Sequence, residues 1–175
     1  LGGIEPRKGS IDLLDAFALV REAHPDVRLV FGGGETLFDY REYRERFEAR
    51  AVELGISPTI LGSVDDGALP ALVAAARALS FVSTKEGFGL AAMEALAAST
   101  PVVARDLPVI REVFGDAVLY ASTPAEIAER LDEVLRGVAE TDTAGGVALA
   151  RAHTWDRAAR AHEEFYARVT ERSRP

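Results

Sequence analysis

The chain has 175 residues, 48% of them hydrophobic, no cysteine and a formal net charge of -8. Its length suits one domain with a core of its own, and the absence of cysteine excludes a disulfide frame or thiolate metal site while permitting a reducing, cytoplasmic setting. The acidic balance argues against nucleic acid or an anionic membrane as main partner, no apolar run reaches the roughly 20 residues of a membrane span, and His24, His153 and His162 show no ligand spacing.

Short apolar runs bounded by turns alternate with longer amphipathic stretches. This pattern of repeated βα units predicts an α/β fold with a Rossmann-like, doubly wound parallel sheet of about six strands. Strands are expected at residues 1–4, 27–31, 59–61, 79–82, 102–104 and 118–120. The first is short against the five or six residues usual for a strand, so the chain is expected to open inside it, as one half of a larger two-domain protein. Helices are expected at 11–23, stopped by His24-Pro25, at 38–54, stopped by Gly55, and at 69–78, 90–98 and 107–113. Another spans 125–139, with Thr123 as N-cap and Pro124 at the first helical position. Residues 141–146 read as a polar, glycine-containing break, and 155–171 as a closing amphipathic helix whose Trp155 packs as an anchor. The Arg and Glu crowd at 40–50 reads as a solvated helix face.

In open α/β sheets ligands bind at the carboxyl ends of the strands, and the glycine-bearing segments 2–9, 32–34, 62–64 and 83–89 all fall there. The last leads into Glu86-Gly87-Phe88-Gly89-Leu90-Ala91-Ala92-Met93-Glu94, two carboxylates separated by a turn and a helix. A helix that is apolar all round belongs in an interior, so Glu94, the one polar residue from 90 to 98, is expected to be buried and to need a partner or a ligand hydroxyl. Eight helical residues span about 12 Å, too far for the ~5 Å carboxylate pair of a retaining glycosidase. Two acids reading two parts of one long ligand fit better.

Of the twenty basic residues only Lys8 and Lys85 are lysines, and both adjoin glycine-containing loops. An ammonium beside a helix N-terminus suits a phosphate, which makes Lys8 the stronger candidate. Several alternatives lack their residues. Gly32-Gly33-Gly34-Glu35-Thr36-Leu37 has no third glycine for a dinucleotide fingerprint, and neither a Gly-x-Ser-x-Gly elbow nor a Gly-Lys-Ser/Thr loop is present. No Asp-x-Asp pair stands ready to hold a cation against a diphosphate.

On these residues the chain resembles, over nearly its whole length, the C-terminal half of retaining GT-B glycosyltransferases, the group 1 or family 4 enzymes. Gly2-Gly3-Ile4-Glu5-Pro6-Arg7-Lys8-Gly9 is similar to that family's first-strand loop, and Glu86 through Glu94 to its two-glutamate motif. Pro101-Val102-Val103-Ala104, Arg111-Glu112-Val113 and Thr154-Trp155 match segments that follow. The resemblance implies a donor-binding domain that holds a UDP-, GDP- or ADP-sugar, without a cofactor or metal, facing an N-terminal acceptor domain that these residues do not include. It implies retention of anomeric configuration, and membrane contact only through that other domain.

By the same resemblance Glu86 contacts the donor sugar, and Phe88, Gly89 and Leu90, following Gly87, bring backbone amides to the sugar and diphosphate. Glu94 receives the ribose hydroxyls, Lys8 neutralises the leaving diphosphate, and Gly62, Ser63 and Val64 border the base. The family often carries an Arg five residues before its Lys, where this chain has Gly3, leaving Arg7 as the candidate substitute. Ser99 and Ala91 stand where Gly and Pro are frequent. The domain alone is expected to be inactive, and the competing reading is a non-catalytic nucleotide-sugar-binding or interaction module of the same fold.

Overall fold

The computed structural model describes residues 1–34 and 39–172. Strands β1 (Val30–Phe31) and β2 (Thr59–Ile60) pair in parallel. Strands β3 (Leu79–Phe81), β4 (Val102–Arg105) and β5 (Leu119–Ala121) form a second parallel ladder in that order. Among the described residues there are thus five short strands in two sheets, where about six in one were expected. Both sheets are parallel, and helices separate their strands, as the alternating pattern required.

β4 shows why its sequence is an unbroken apolar run. Val103 faces one core cluster while Val102 and Ala104 face the other, and all three are buried. A parallel strand covered on both faces has no solvent side to make polar. One cluster packs the sheet faces against helices α1 (Ser10–Ala23), α2 (Arg41–Glu53) and α6 (Pro124–Arg136), with Phe31 and Phe47 edge to face at 5.3 Å. The other packs them against α3 (Leu69–Ala74), α4 (Leu90–Ala97) and α5 (Pro108–Phe114). α6 starts as its sequence predicts, the Thr123 side chain accepting from the Glu126 amide and Glu126 reaching back to the Ser122 amide, but it ends at Arg136 rather than at 139 because Gly137 closes the helix at φ 72°. This is a reciprocal N-terminal cap with a glycine C-terminus.

Five further expectations need correction. Residues 1–4 are not a strand: Gly2 takes φ 110°, and a single amide bond, Gly2 N to Gly32 O at 2.7 Å, joins the segment to the end of β1. Residues 141–146 are not simply a break, because α7 (Thr143–Ala152) starts there with Asp142 accepting from the Gly145 amide. Its two glycines each have a neighbour where a side chain would go: a Cβ on Gly146 would meet Leu96 of α4 at 3.0 Å, and one on Gly145 would strike the capping Asp142 carboxylate. The helix expected at 69–78 ends at Ala74. Trp155 opens α8 (Trp155–Arg172) but is 81% exposed, so it anchors nothing among the described residues. The helix expected from 38 begins at Arg41, and Phe38 itself, like Glu35, Thr36 and Leu37 of the tested fingerprint, lies outside the described residues.

Candidate functional site

The first loop is fastened to the loop before α4 by a backbone bond, Thr84 N to Arg7 O at 2.7 Å. Pro6–Lys8 forms a single 3-10 turn that ends on Gly9 at φ 65°. A side chain at Gly9 would place its Cβ 2.4 Å from Val82 O, so glycine allows the loop to close onto β3. That closure delivers two cations to one carboxylate. Lys8 Nζ donates to Glu86 Oε1 at 2.7 Å, and Arg7 donates to the same oxygen at 3.0 Å. Arg7 also donates to Glu5 at 2.9 Å and to the Lys85 carbonyl.

Burial alone would raise the pKa of Glu86. The hydrogen bonds from Lys8 and Ser83 and the charges of Lys8 and Arg7 outweigh it and hold the carboxyl below its ordinary value. The carboxylate is therefore ionised at neutral pH. Lys8 is itself largely covered, with its ammonium 5.6 Å from the centre of the Phe81 ring.

Gly89, at φ 100°, opens α4. The first amides of any helix have no carbonyl one turn back, so the segment from Phe88 through Leu90 presents donors beside the Lys8–Glu86 pair. Gly87 and Leu90 are exposed, Phe88 half-buried and Gly89 buried. Phe88 is supported from α7, with the His153 ring 5.8 Å away.

Glu94 is exposed, which corrects the expectation of burial. α4 buries Ala92, Met93, Ala95 and Leu96, while Leu90, Glu94 and Ala97 share the open face. The helix is apolar all round because alanine is tolerated on a surface, not because every side is covered.

The row continues along the strand ends. Gly33 N donates to Gly62 O at 2.8 Å, and Gly33 packs so closely on Gly2 that a Cβ there would be 2.2 Å from the Gly2 carbonyl carbon. Ser63 is exposed, and Val64 is half-buried next to Gly32. Lys8, Arg7 and Glu86 therefore touch, while Gly62, Ser63 and Val64 lie farther along the same edge. Sequence reasoning missed three supporting residues. Glu5 receives Arg7, buried Ser83 bonds to Glu86, and His153 backs Phe88. Only Glu5, two positions from Arg7, carried a local signal. Among the described residues no three His, Cys, Asp or Glu side chains are grouped to hold a metal ion, and no helix is long and apolar enough to cross a membrane.

Parallel βα units with charged loops gathered at the strand ends define a Rossmann-like domain. Comparison with known proteins makes this specific. The family description "Glycosyl transferases group 1" matches residues 1–144. O-antigen chain mannosyltransferase B of Escherichia coli is 35% identical over 167 residues, which cover 89% of this chain and 42% of the relative. Among solved structures, a sucrose-phosphate synthase from Thermosynechococcus elongatus superposes with a TM-score of 0.83 at 25% identity over 97% of this chain and 44% of that one. HepE of Anabaena, in complex with UDP and glucose, gives 0.74 at 25% identity over 85% and 42%. The chain belongs to the group 1 glycosyltransferase family, and its fold is that of a GT-B domain. It spans about two fifths of the length of the mannosyltransferase it matches.

Proposed function

We propose that this chain is the donor-binding, C-terminal domain of a retaining glycosyltransferase, holding a nucleoside-diphosphate sugar for transfer to an acceptor carried by a separate N-terminal domain. The observation that supports it most is the meeting of Lys8, Arg7 and Glu86 beside the N-terminus of α4, with Glu94 on the open face of the same helix. The diphosphate takes the Lys8 ammonium and the α4 amides, and the negative charge that grows on it as the sugar departs meets donors already in place. Arg7 stands in for the cation that Gly3 does not provide. In this reading the positive charge at the leaving group comes from side chains and helix amides. Glu86 contacts the sugar, Glu94 accepts from the ribose hydroxyls, and the backbone of Gly62, Ser63 and Val64 borders the base.

A mannosyltransferase relative and a UDP-bound structural neighbour support a nucleotide-sugar donor without choosing its base or sugar. The test is calorimetric titration with UDP, GDP and ADP, then with their glucose and mannose conjugates. One base should bind saturably, and Glu94→Ala should weaken it about tenfold, the worth of one hydrogen bond to a charged group. Undiminished binding in Glu94→Ala would remove the ribose assignment. Binding by the longer protein without any transfer would leave the non-catalytic module.

A further inference from the structure

The last residue of β4 breaks the apolar pattern of that strand. Arg105 is only 9% exposed, and its side chain turns toward α1, on the same face of the sheet as Val103. A guanidinium stays charged inside a protein and donates from all three of its nitrogens, so burying one demands partners. All three nitrogens are engaged here. Nε and Nη2 both donate to Val82 O, at 3.2 and 3.1 Å, and Nη2 also donates to the Asp12 carboxylate in the first turn of α1. Nη1 donates to Ser122 O, just past the end of β5. One side chain thus ties together the carboxyl ends of β3 and β5 and the start of α1.

These attachments lie directly behind the Lys8–Glu86 pair. Val82 O is the atom that a Cβ on Gly9 would strike, and the same Cβ would stand 3.2 Å from Arg105 Nη2, so the guanidinium and Val82 O together form the floor on which Gly9 rests. Gly9 follows Lys8, and Val82 precedes Ser83, the buried hydroxyl that bonds to Glu86. The pair joins residues 78 positions apart, and such a constellation keeps its geometry only when the residues behind it are locked in turn. We propose that Arg105 is a positioning residue for the donor site: by fixing Val82 O beneath Gly9 it sets where the Lys8 ammonium and the Glu86 carboxylate meet, without touching the ligand itself. The inference rests on the nucleotide-sugar reading of that pair and extends it to a residue one layer further in. Lysine at the same position would keep the charge but lack the planar fork that spans three chain segments at once.

The experiment compares wild type with Arg105→Met, Arg105→Lys and, as a control that destabilises elsewhere, Val134→Ala near the C-terminal end of α6. Three readouts are taken: the NMR carboxyl titration of Glu86, assigned with Glu86→Gln, calorimetry with nucleoside diphosphates and their nucleosides, and thermal melts. In Arg105→Met the Glu86 carboxyl should titrate at higher pH than in wild type, because Lys8 and Ser83 no longer hold it as closely. The Kd for the diphosphate should rise about fivefold, the worth of roughly one hydrogen bond, with the nucleoside unaffected. Arg105→Lys should recover the melt while restoring only part of the Glu86 titration, and the same partial shift decides the question if Arg105→Met does not fold. Val134→Ala should lower Tm and leave Glu86 unmoved. An unchanged Glu86 titration in the folded Arg105 variants, or an equal shift in Val134→Ala, would overturn the proposal and reduce Arg105 to a stabilising contact. Should wild type bind no nucleoside diphosphate, the nucleotide reading fails while the Glu86 titration still decides the role of Arg105.

Discussion

Replacing Lys8 by methionine tests the diphosphate reading most directly, because the thioether keeps the stem that packs beside Gly2 and Phe81 and removes only the charge. A unit charge pair at 4 Å in surroundings of effective dielectric near 20 is worth about 4 kcal/mol. Lys8 does not wait unpartnered, however: its ammonium lies 2.7 Å from Glu86, and a diphosphate gains only the excess over that contact. The net value of a hydrogen bond to a charged group, about 1.5–3 kcal/mol, is the better guide. We expect about 2 kcal/mol, close to a thirtyfold rise in Kd. Calorimetry with each nucleoside diphosphate and its nucleoside provides the readout, and a melt of the variant checks the fold. The nucleoside should bind equally well to both proteins. Equal losses for nucleoside and diphosphate, or no loss for either, would refute the placement of Lys8 at the phosphates.

Three further outcomes follow from the same geometry. The folded pKa of Glu86 lies below its unfolded value, so its contribution to stability is fully present above about pH 4.3 and disappears as pH falls through the lower folded value. Melts from pH 7 to 3 should therefore show wild type losing stability relative to Glu86→Gln in the acid range, and parallel curves would contradict the pairing. Gly9→Ala should destabilise by about 2 kcal/mol or more, since it adds left-handed strain to a collision with Val82 O; urea unfolding within 0.5 kcal/mol of wild type would show that the loop relaxes freely. Ser99 holds φ 61°, and Ser99→Gly relieves about 1–2 kcal/mol of strain against a smaller entropic loss. A gain of about 0.5–1 kcal/mol is expected, and a loss would mean that the serine side chain is doing something its backbone angle does not reveal.

Much of the fold was readable because local and global signals agree. β4 is an apolar run since both its faces are covered, and α6 carries its own start in Thr123 and Pro124, though its stop at Gly137 was passed over by three residues. α7 escaped because a glycine pair reads as a turn until Leu96 of α4 is seen pressing against Gly146. Residues 1–4 looked like a strand, but Gly2 turns the chain across the end of β1 instead. Within the candidate site, Glu86 and Lys8 stood out by their glycine neighbours, and the structure brings them together through the Thr84–Arg7 bond, a contact 77 residues apart with no local signature. Glu94 was located on the right helix and assigned the wrong exposure, because alanines conceal which side of a helix is open.

The distribution of lysines has a practical consequence for handling this protein. All other basic residues of the chain are arginines, so Lys8 and Lys85, both in loops at the candidate cleft, are its only side-chain amines. Reagents that react with lysine side chains therefore attach, within these 175 residues, inside or beside the cleft. A surface coupled through side-chain amines would obstruct the face being assayed, whereas a small amine-reactive dye would sit where its emission reports ligand arrival.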